Sequence, residues 1–233
     1  MTNPILPPTF LVETGLSSGT AFLIDSDIAI TAAHVVDGHS FVGLSPVETS
    51  TSFSATVPSY VVYIDKKLDL AVLRLLSPSE TEPLALSESV PPLGAEVLAF
   101  GVPGGVYRVS EGEILQVTGD SLLSSTQVAP GNSGGPLLND QGDVAGVVLQ
   151  YDALSENAVS INATAVTEFI ESVPDAAWDR VPSTTNEPLI AAWFVAGFLL
   201  AMILISIVIF FIMRFRKKQL RAQNLIKITL EGE

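Results

Sequence analysis

The sequence predicts an all-β soluble region, a sandwich or barrel, followed by a single C-terminal transmembrane helix. Short runs of apolar and often β-branched residues recur along the first 163 positions, bounded by Gly, Pro, Ser or Asp. No long segment with a 3.6-residue period interrupts them, and strands at this spacing build sandwiches or barrels. From 189 to 213 there are 25 consecutive residues without a charge, nearly all aliphatic or aromatic. A helix of that length extends about 37 Å, enough to cross a hydrocarbon core of roughly 30 Å with some tilt.

The expected strands run over residues 21–24, 28–31, 59–64 and 70–76 in a first unit. A second unit holds 96–100, 114–118, 135–138, 144–150 and 158–163. Between them, Pro78, Pro83, Pro91 and Pro92 punctuate the polar stretch 77–92. Proline lacks the N–H that a central strand donates, so this stretch reads as a linker. The β units then occupy about 9–77 and about 92–173 of a soluble domain at 1–174. Residues 165–173 carry a short helical pattern closed by Pro174. A second linker at 175–188 leads to the span at 189–213 and a basic tail at 214–233. No repeat appears at the periods typical of solenoids or propellers.

Charge divides sharply at the span. Residues 1–187 hold five Lys or Arg against 23 Asp or Glu, whereas the tail holds six basic and two acidic residues. So acidic a domain repels phosphates, which excludes nucleic acid as a partner. The tail, with Arg214, Arg216, Lys217, Lys218 and Arg221, is attracted to anionic lipid. The chain has no cysteine, which removes thiol nucleophiles, disulfides and thiolate metal sites together. With two histidines, His34 and His39, neither a metal centre nor a cofactor is expected.

Acyl transfer to a hydroxyl needs a base to take its proton, a buried carboxylate to orient that base, and donors for the developing oxyanion. The segment Pro130-Gly131-Asn132-Ser133-Gly134-Gly135-Pro136 offers Ser133 as the nucleophile. Its glycines permit a turn closed to residues bearing a Cβ, and such a turn aims the N–H groups of Gly131 and Ser133 at one point. The plainer alternative is a loop between strands. For the base, His34 directly follows the apolar run 28–33. His39 competes, but its place after Asp37-Gly38 reads as a solvated turn. Asp69 stands at the threshold of the run Leu70-Ala71-Val72-Leu73, where a carboxylate needs a partner to offset its desolvation. Asp65 is the rival, and its neighbour Lys66 suggests a surface ion pair.

The order His, Asp, Ser within Thr31-Ala32-Ala33-His34, Asp69-Leu70-Ala71-Val72-Leu73 and Gly131-Asn132-Ser133-Gly134-Gly135-Pro136 resembles the trypsin-like, chymotrypsin-fold serine proteases. The Asp-Leu-Ala-Val-Leu wording and the Pro-Gly-Asn-Ser-Gly-Gly loop look most like the HtrA-like bacterial branch, which needs no disulfides. Ser18-Gly19-Thr20-Ala21-Phe22-Leu23-Ile24 is similar to that family's Gly-rich first hairpin. The resemblance covers roughly residues 10–173. It implies two six-stranded antiparallel β-barrels with a cleft between them, His34 and Asp69 on the first and Ser133 on the second. It implies a serine endopeptidase that hydrolyses polypeptides through a Ser-His-Asp triad and an acyl-enzyme. It also implies Gln127 near the floor of the substrate pocket, with Leu149, Gln150 and Tyr151 along its wall. Without an Asp at the floor, a small or medium apolar side chain is the expected preference, and Tyr151 would narrow the entrance. The sequence departs from HtrA proteins in showing no PDZ module after the protease domain and in placing its anchor after that domain. A rival from another class is a silent or latent protease-like module that binds peptides at the membrane.

Basic residues are sparse before the span and dense after it, so the positive-inside rule puts the tail in the cytoplasm and the soluble domain outside. Against this, residues 1–30 contain no Lys or Arg and no signal-peptide pattern. A tail-anchored protein with its soluble domain in the cytosol is the alternative. Gly197 and Ala201, four apart, would let two such helices pack closely, but a homo-oligomer has no further support. Asn162-Ala163-Thr164 matches a glycosylation pattern that reads as coincidental.

Overall fold

The computed structural model of the chain describes residues 7–15, 17–152 and 157–179. Within them, the strands close into two antiparallel barrels of six. The first consists of β1 (Thr9–Glu13), β2 (Ser18–Leu23), β3 (Ile28–Ala32), β4 (Phe41–Pro46), β5 (Val57–Asp65) and β6 (Leu70–Leu75), in the order β1-β2-β3-β6-β5-β4. The second consists of β7 (Glu96–Gly101), β8 (Arg108–Thr118), β9 (Ser121–Ser124), β10 (Pro136–Leu138), β11 (Val144–Asp152) and β12 (Asn157–Asn162), in the order β10-β11-β12-β9-β8-β7.

Both β units expected from the sequence are present, but β1, β4 and β9 were not among the expected strands. Barrel closure rather than propensity makes them strands. β4 contains Gly43 and ends on Pro46, yet it seals the first barrel by pairing with β1 and β5. β9 is four residues long and is held between β8 and β12. β8 also begins six residues before the expected 114. Its first half is polar and largely exposed, and it is a strand because it pairs with β7 from Arg108 to Glu113.

β11 shows where the core sits. Val147 and Leu149 join the cluster shared with the first barrel, around Phe10, Phe22, Leu23 and Leu73. Val148, on the opposite face, packs inside the second barrel with Val97, Ile114, Leu122 and Leu137. With both faces buried, residues 144–149 read as one apolar run without alternation.

Three short α-helices, α1 (Ala33–Val36), α2 (Ala163–Glu171) and α3 (Asp175–Trp178), and one 3-10 turn at Pro103–Gly105 complete the described elements. The expected helix at 165–173 starts two residues earlier because Asn162 caps it, its Oδ1 accepting from the Ala165 N–H at 2.9 Å. The Asn162 amide also donates to the Gly119 carbonyl at 3.1 Å, and the residue is only 3% exposed. Its side chain is engaged on both ends, so the glycosylation pattern is structural coincidence. Phe169 of α2 is 1% exposed and lies 6.0 Å from the Tyr63 ring on β5. Arg74 donates to Asp27 at 2.8 Å and to the Trp178 carbonyl at 3.3 Å, fastening α3 to the first barrel.

The proline-rich stretch 77–92 runs along both barrels. Leu84 donates to the Leu23 carbonyl, while Val144 donates to Ala85 and Ser87 donates back to Val144. No described helix is long and apolar enough to cross a membrane. The expected span at 189–213 and its tail lie outside the described residues.

Candidate active site

The register between β3 and β6 sets Ala32 opposite Leu70, so the chain leaving β3 meets the chain entering β6. There the Ala33 N–H donates to the Asp69 carbonyl at 2.9 Å, and the His34 N–H donates to Asp69 Oδ1 at 2.9 Å. Asp69 Oδ2 lies 2.6 Å from His34 Nδ1. A carboxylate only accepts, so Nδ1 carries the proton and Nε2 is left as the basic nitrogen. Asp69 adopts φ of +56°, the one non-glycine residue in the left-handed region among those described. Short polar side chains tolerate that conformation best.

The carboxylate was expected to be buried. Its side chain is instead 33% exposed and that of His34 is 48% exposed. The hydrogen bond that Nδ1 donates to Asp69, reinforced by the carboxylate's charge, holds the imidazole above its ordinary 6.5 despite the opposing effect of partial burial.

Ser133 follows β9 on the loop into β10, and four of the six backbone N–H groups from Ala129 to Gly135 have an acceptor. Ala129 donates to Asn132 Oδ1, Asn132 to the Ala129 carbonyl, Gly134 to Val148 and Gly135 to Asn132. Among the described residues, the N–H groups of Gly131 and Ser133 have no acceptor. These are the two donors the sequence singled out. The loop's carbonyls are held as well: Ser133 O accepts from the Thr20 N–H at 2.8 Å and Gly131 O from Thr20 Oγ1 at 2.7 Å. Gly134 has φ of +85°, and a Cβ there would collide with the Thr20 carbonyl and Thr31 Oγ1. Gly131, at φ +108°, passes so close to Pro103 that a Cβ would lie 2.7 Å from its Cα.

The Ser133 hydroxyl donates to the Leu149 carbonyl at 2.9 Å rather than to His34. His34, Asp69 and Ser133 nevertheless line one cleft of about 470 Å³, with segments 128–130, 132–133 and 148–151 forming its second-barrel wall. Leu149, Gln150 and Tyr151 are in that wall, as expected. Gln127 is not: it is exposed, and its N–H donates to Ser110 Oγ at 2.7 Å. Val128 and Val148 line the cleft instead. The sequence reading missed them because Val148 faces away from Leu149, and only barrel closure brings it alongside Val128.

The two rivals are elsewhere. His39 Nδ1 lies 3.0 Å from the Asp37 carbonyl, in its own turn and outside the cleft. Asp65 Oδ1 accepts from the N–H groups of Lys67 and Leu68, capping the turn into Asp69. It is not the ion pair expected of it, since Lys66 pairs with Asp37 at 2.9 Å. A larger hollow of about 570 Å³ around Glu96, Glu111 and Asp140 holds no candidate nucleophile beside a histidine. No cluster of three or more His, Cys, Asp or Glu suited to a metal occurs among the described residues.

A family model described as trypsin-like peptidase domain matches residues 19–147. The chain is 33% identical over 156 residues to the uncharacterised protein y4bJ of Sinorhizobium fredii, covering 62% of this chain and 24% of that one. It is 34% identical over 148 residues to serine protease Rv3671c of Mycobacterium tuberculosis, covering 56% and 35%. Human serine protease HTRA4 is 33% identical over 145 residues, with 56% and 29% covered. The chain thus spans about a quarter to a third of the length of these curated relatives. The crystal structure of the active form of Rv3671c protease from M. tuberculosis matches with a TM-score of 0.64 at 25% identity, over 72% of this chain and 81% of that one. Because the family model covers more than half of its length, the chain belongs to the trypsin-like peptidase family, in which it is similar to the HtrA serine proteases.

Proposed function

We propose that the chain is a membrane-anchored serine endopeptidase with His34, Asp69 and Ser133 as its triad. His34 Nε2 takes the hydroxyl proton of Ser133 as Oγ attacks the scissile carbonyl, and Asp69 holds the resulting imidazolium in orientation. The N–H groups of Gly131 and Ser133 receive the developing oxyanion, each such donor contributing about 2.7–4 kcal/mol in comparable sites. His34 then returns the proton to the leaving amine, and water releases the acyl group by the same steps in reverse.

The observation that carries this reading is the loop's donor inventory: two N–H groups without acceptors, that of Ser133 and that of Gly131 two residues before it, beside the cleft that holds the His34–Asp69 pair. The substrate is an exposed polypeptide segment. Val128, Val148 and Leu149 in the cleft favour a small or medium apolar side chain before the scissile bond. Anchoring rests on the uncharged span 189–213, and the basic tail after it favours an extracytoplasmic domain. The tail-anchored, cytosolic arrangement is the alternative.

The bond from Ser133 Oγ to the Leu149 carbonyl favours a second reading, in which the resting enzyme is latent until peptide enters. Full-length protein in vesicles, given a fluorescently labelled unfolded polypeptide, tests the main reading. Wild type is expected to release fragments and Ser133→Ala none; equal cleavage by both would overturn it. Added protease that trims the tail and spares the soluble domain, or the reverse, decides the orientation.

A further inference from the structure

We infer that Thr20 is the positioning residue that sets the two oxyanion donors; this rests on reading Ser133 as the nucleophile. Thr20 lies on β2 of the first barrel and is fully buried. Its backbone N–H donates to the Ser133 carbonyl at 2.8 Å. Its hydroxyl donates to the Gly131 carbonyl at 2.7 Å and accepts from the Val102 N–H at 3.0 Å. Its own carbonyl accepts from Thr31 Oγ1 at 2.7 Å. One side chain therefore ties the nucleophile loop, the Val102 turn and the first barrel together, with every polar group of the residue engaged.

These bonds act on the peptide units that adjoin the oxyanion donors. The Gly131–Asn132 peptide is gripped at both ends, its carbonyl by Thr20 Oγ1 and its N–H by the Ala129 carbonyl at 3.0 Å. With that plane fixed, only φ and ψ of Gly131 remain to orient its own N–H, and Pro103 leaves no room there for a side chain. On the other side, the Thr20 N–H fixes the Ser133 carbonyl, so the backbone cannot pivot at the nucleophile. Rotation of either unit would swing a donor away from the point where negative charge develops. Such donors act by being fixed before the reaction.

The residue type follows from the two hydroxyl bonds. Valine has the same shape but can neither donate nor accept, and would leave the buried Gly131 carbonyl and Val102 N–H unpaired. Serine keeps both bonds and loses only a methyl group. β-branching also suits the strand and narrows the χ1 choices, which aims the hydroxyl.

Full-length Thr20→Val, Thr20→Ser and Ser133→Ala, compared with wild type on one peptide substrate, test the inference. Thr20→Val is expected to lose about 10–100-fold in kcat with KM little changed, somewhat less than outright removal of one donor. Thr20→Ser is expected to stay within about 3-fold of wild type, since it retains both hydrogen bonds. Affinity for a peptide boronate, which forms the tetrahedral adduct, should fall in step with kcat/KM. The acid limb of the rate profile should not move, because the His34–Asp69 pair is untouched. Wild-type kcat in Thr20→Val with a native melting curve would overturn the inference, as would a loss that serine does not repair. If Thr20→Val does not fold, Thr20→Cys replaces it: a loss of about 5-fold or more in kcat is expected from its weaker hydrogen bonding, and wild-type kcat overturns the inference. Activity surviving in Ser133→Ala would instead defeat the underlying reading of the nucleophile.

Discussion

Asp69, at φ +56°, directs its carbonyl to Ala33 and both carboxylate oxygens to His34. The left-handed backbone lets one residue fix both the main chain and the ring of the histidine. Asp69→Asn keeps the shape but presents an amide to Nδ1, favouring the wrong tautomer; kcat is expected to fall by about 10⁴-fold, as in related triads. Stopped assays on purified variants measure this. The same pair fixes the pH dependence. Since Asp69 stabilises the imidazolium and the base must be neutral, activity is expected to fall as pH drops through a midpoint above 6.5. A pH series of kcat/KM reports that midpoint in the free enzyme, and a wild-type limb at or below 6.5 contradicts the arrangement. That His34, Asp69 and Ser133 come together in one cleft was legible in the sequence because each sits in a short local pattern. Thr20, Val128 and Val148 were not, since each is placed by neighbours more than 15 positions away in the chain.

Among the elements, α2 is sensitive to single substitutions because it packs against both barrels. Asn162→Ala removes its cap and the tie to Gly119, and is expected to lower stability by about 1–2 kcal/mol. Urea denaturation measures the change, with activity per folded molecule retained. Phe169→Ala opens a cavity against Tyr63, where comparable deletions lose about 3–5 kcal/mol. A change below 1 kcal/mol in the same denaturation would show that α2 does not brace the barrels. The helix was visible in the sequence by period and its closing proline, although its first two residues depended on a cap. β4 and β9 were invisible because Gly43, Pro46 and flanking serines weaken local preference, and only ring closure selects them.

At the scale of the molecule, the principal core crosses the boundary between barrels. Phe10 and Phe22 of the first share a cluster with Val144, Val147 and Ile161 of the second, and with Phe169. The second barrel keeps only a smaller cluster of its own, around Val97, Ile114, Leu122 and Leu137, so the two-barrel domain is expected to unfold in one transition. Calorimetry of the full chain checks this, and two separated transitions in the two-barrel domain contradict it. The cleft lies on that shared boundary, which is why the order of motifs pointed to the candidate residues lining it better than any single strand did. The shape of the substrate wall was less legible, because Gln127 was placed by spacing while the barrel carries it to the surface. The most direct measurement for the whole account is labelling of the full-length chain by a serine-directed fluorophosphonate, with the adduct mapped by mass spectrometry. The account predicts one adduct, on Ser133, that forms faster as pH rises and is absent from Ser133→Ala. An adduct on another residue, or labelling that persists in Ser133→Ala, would contradict it.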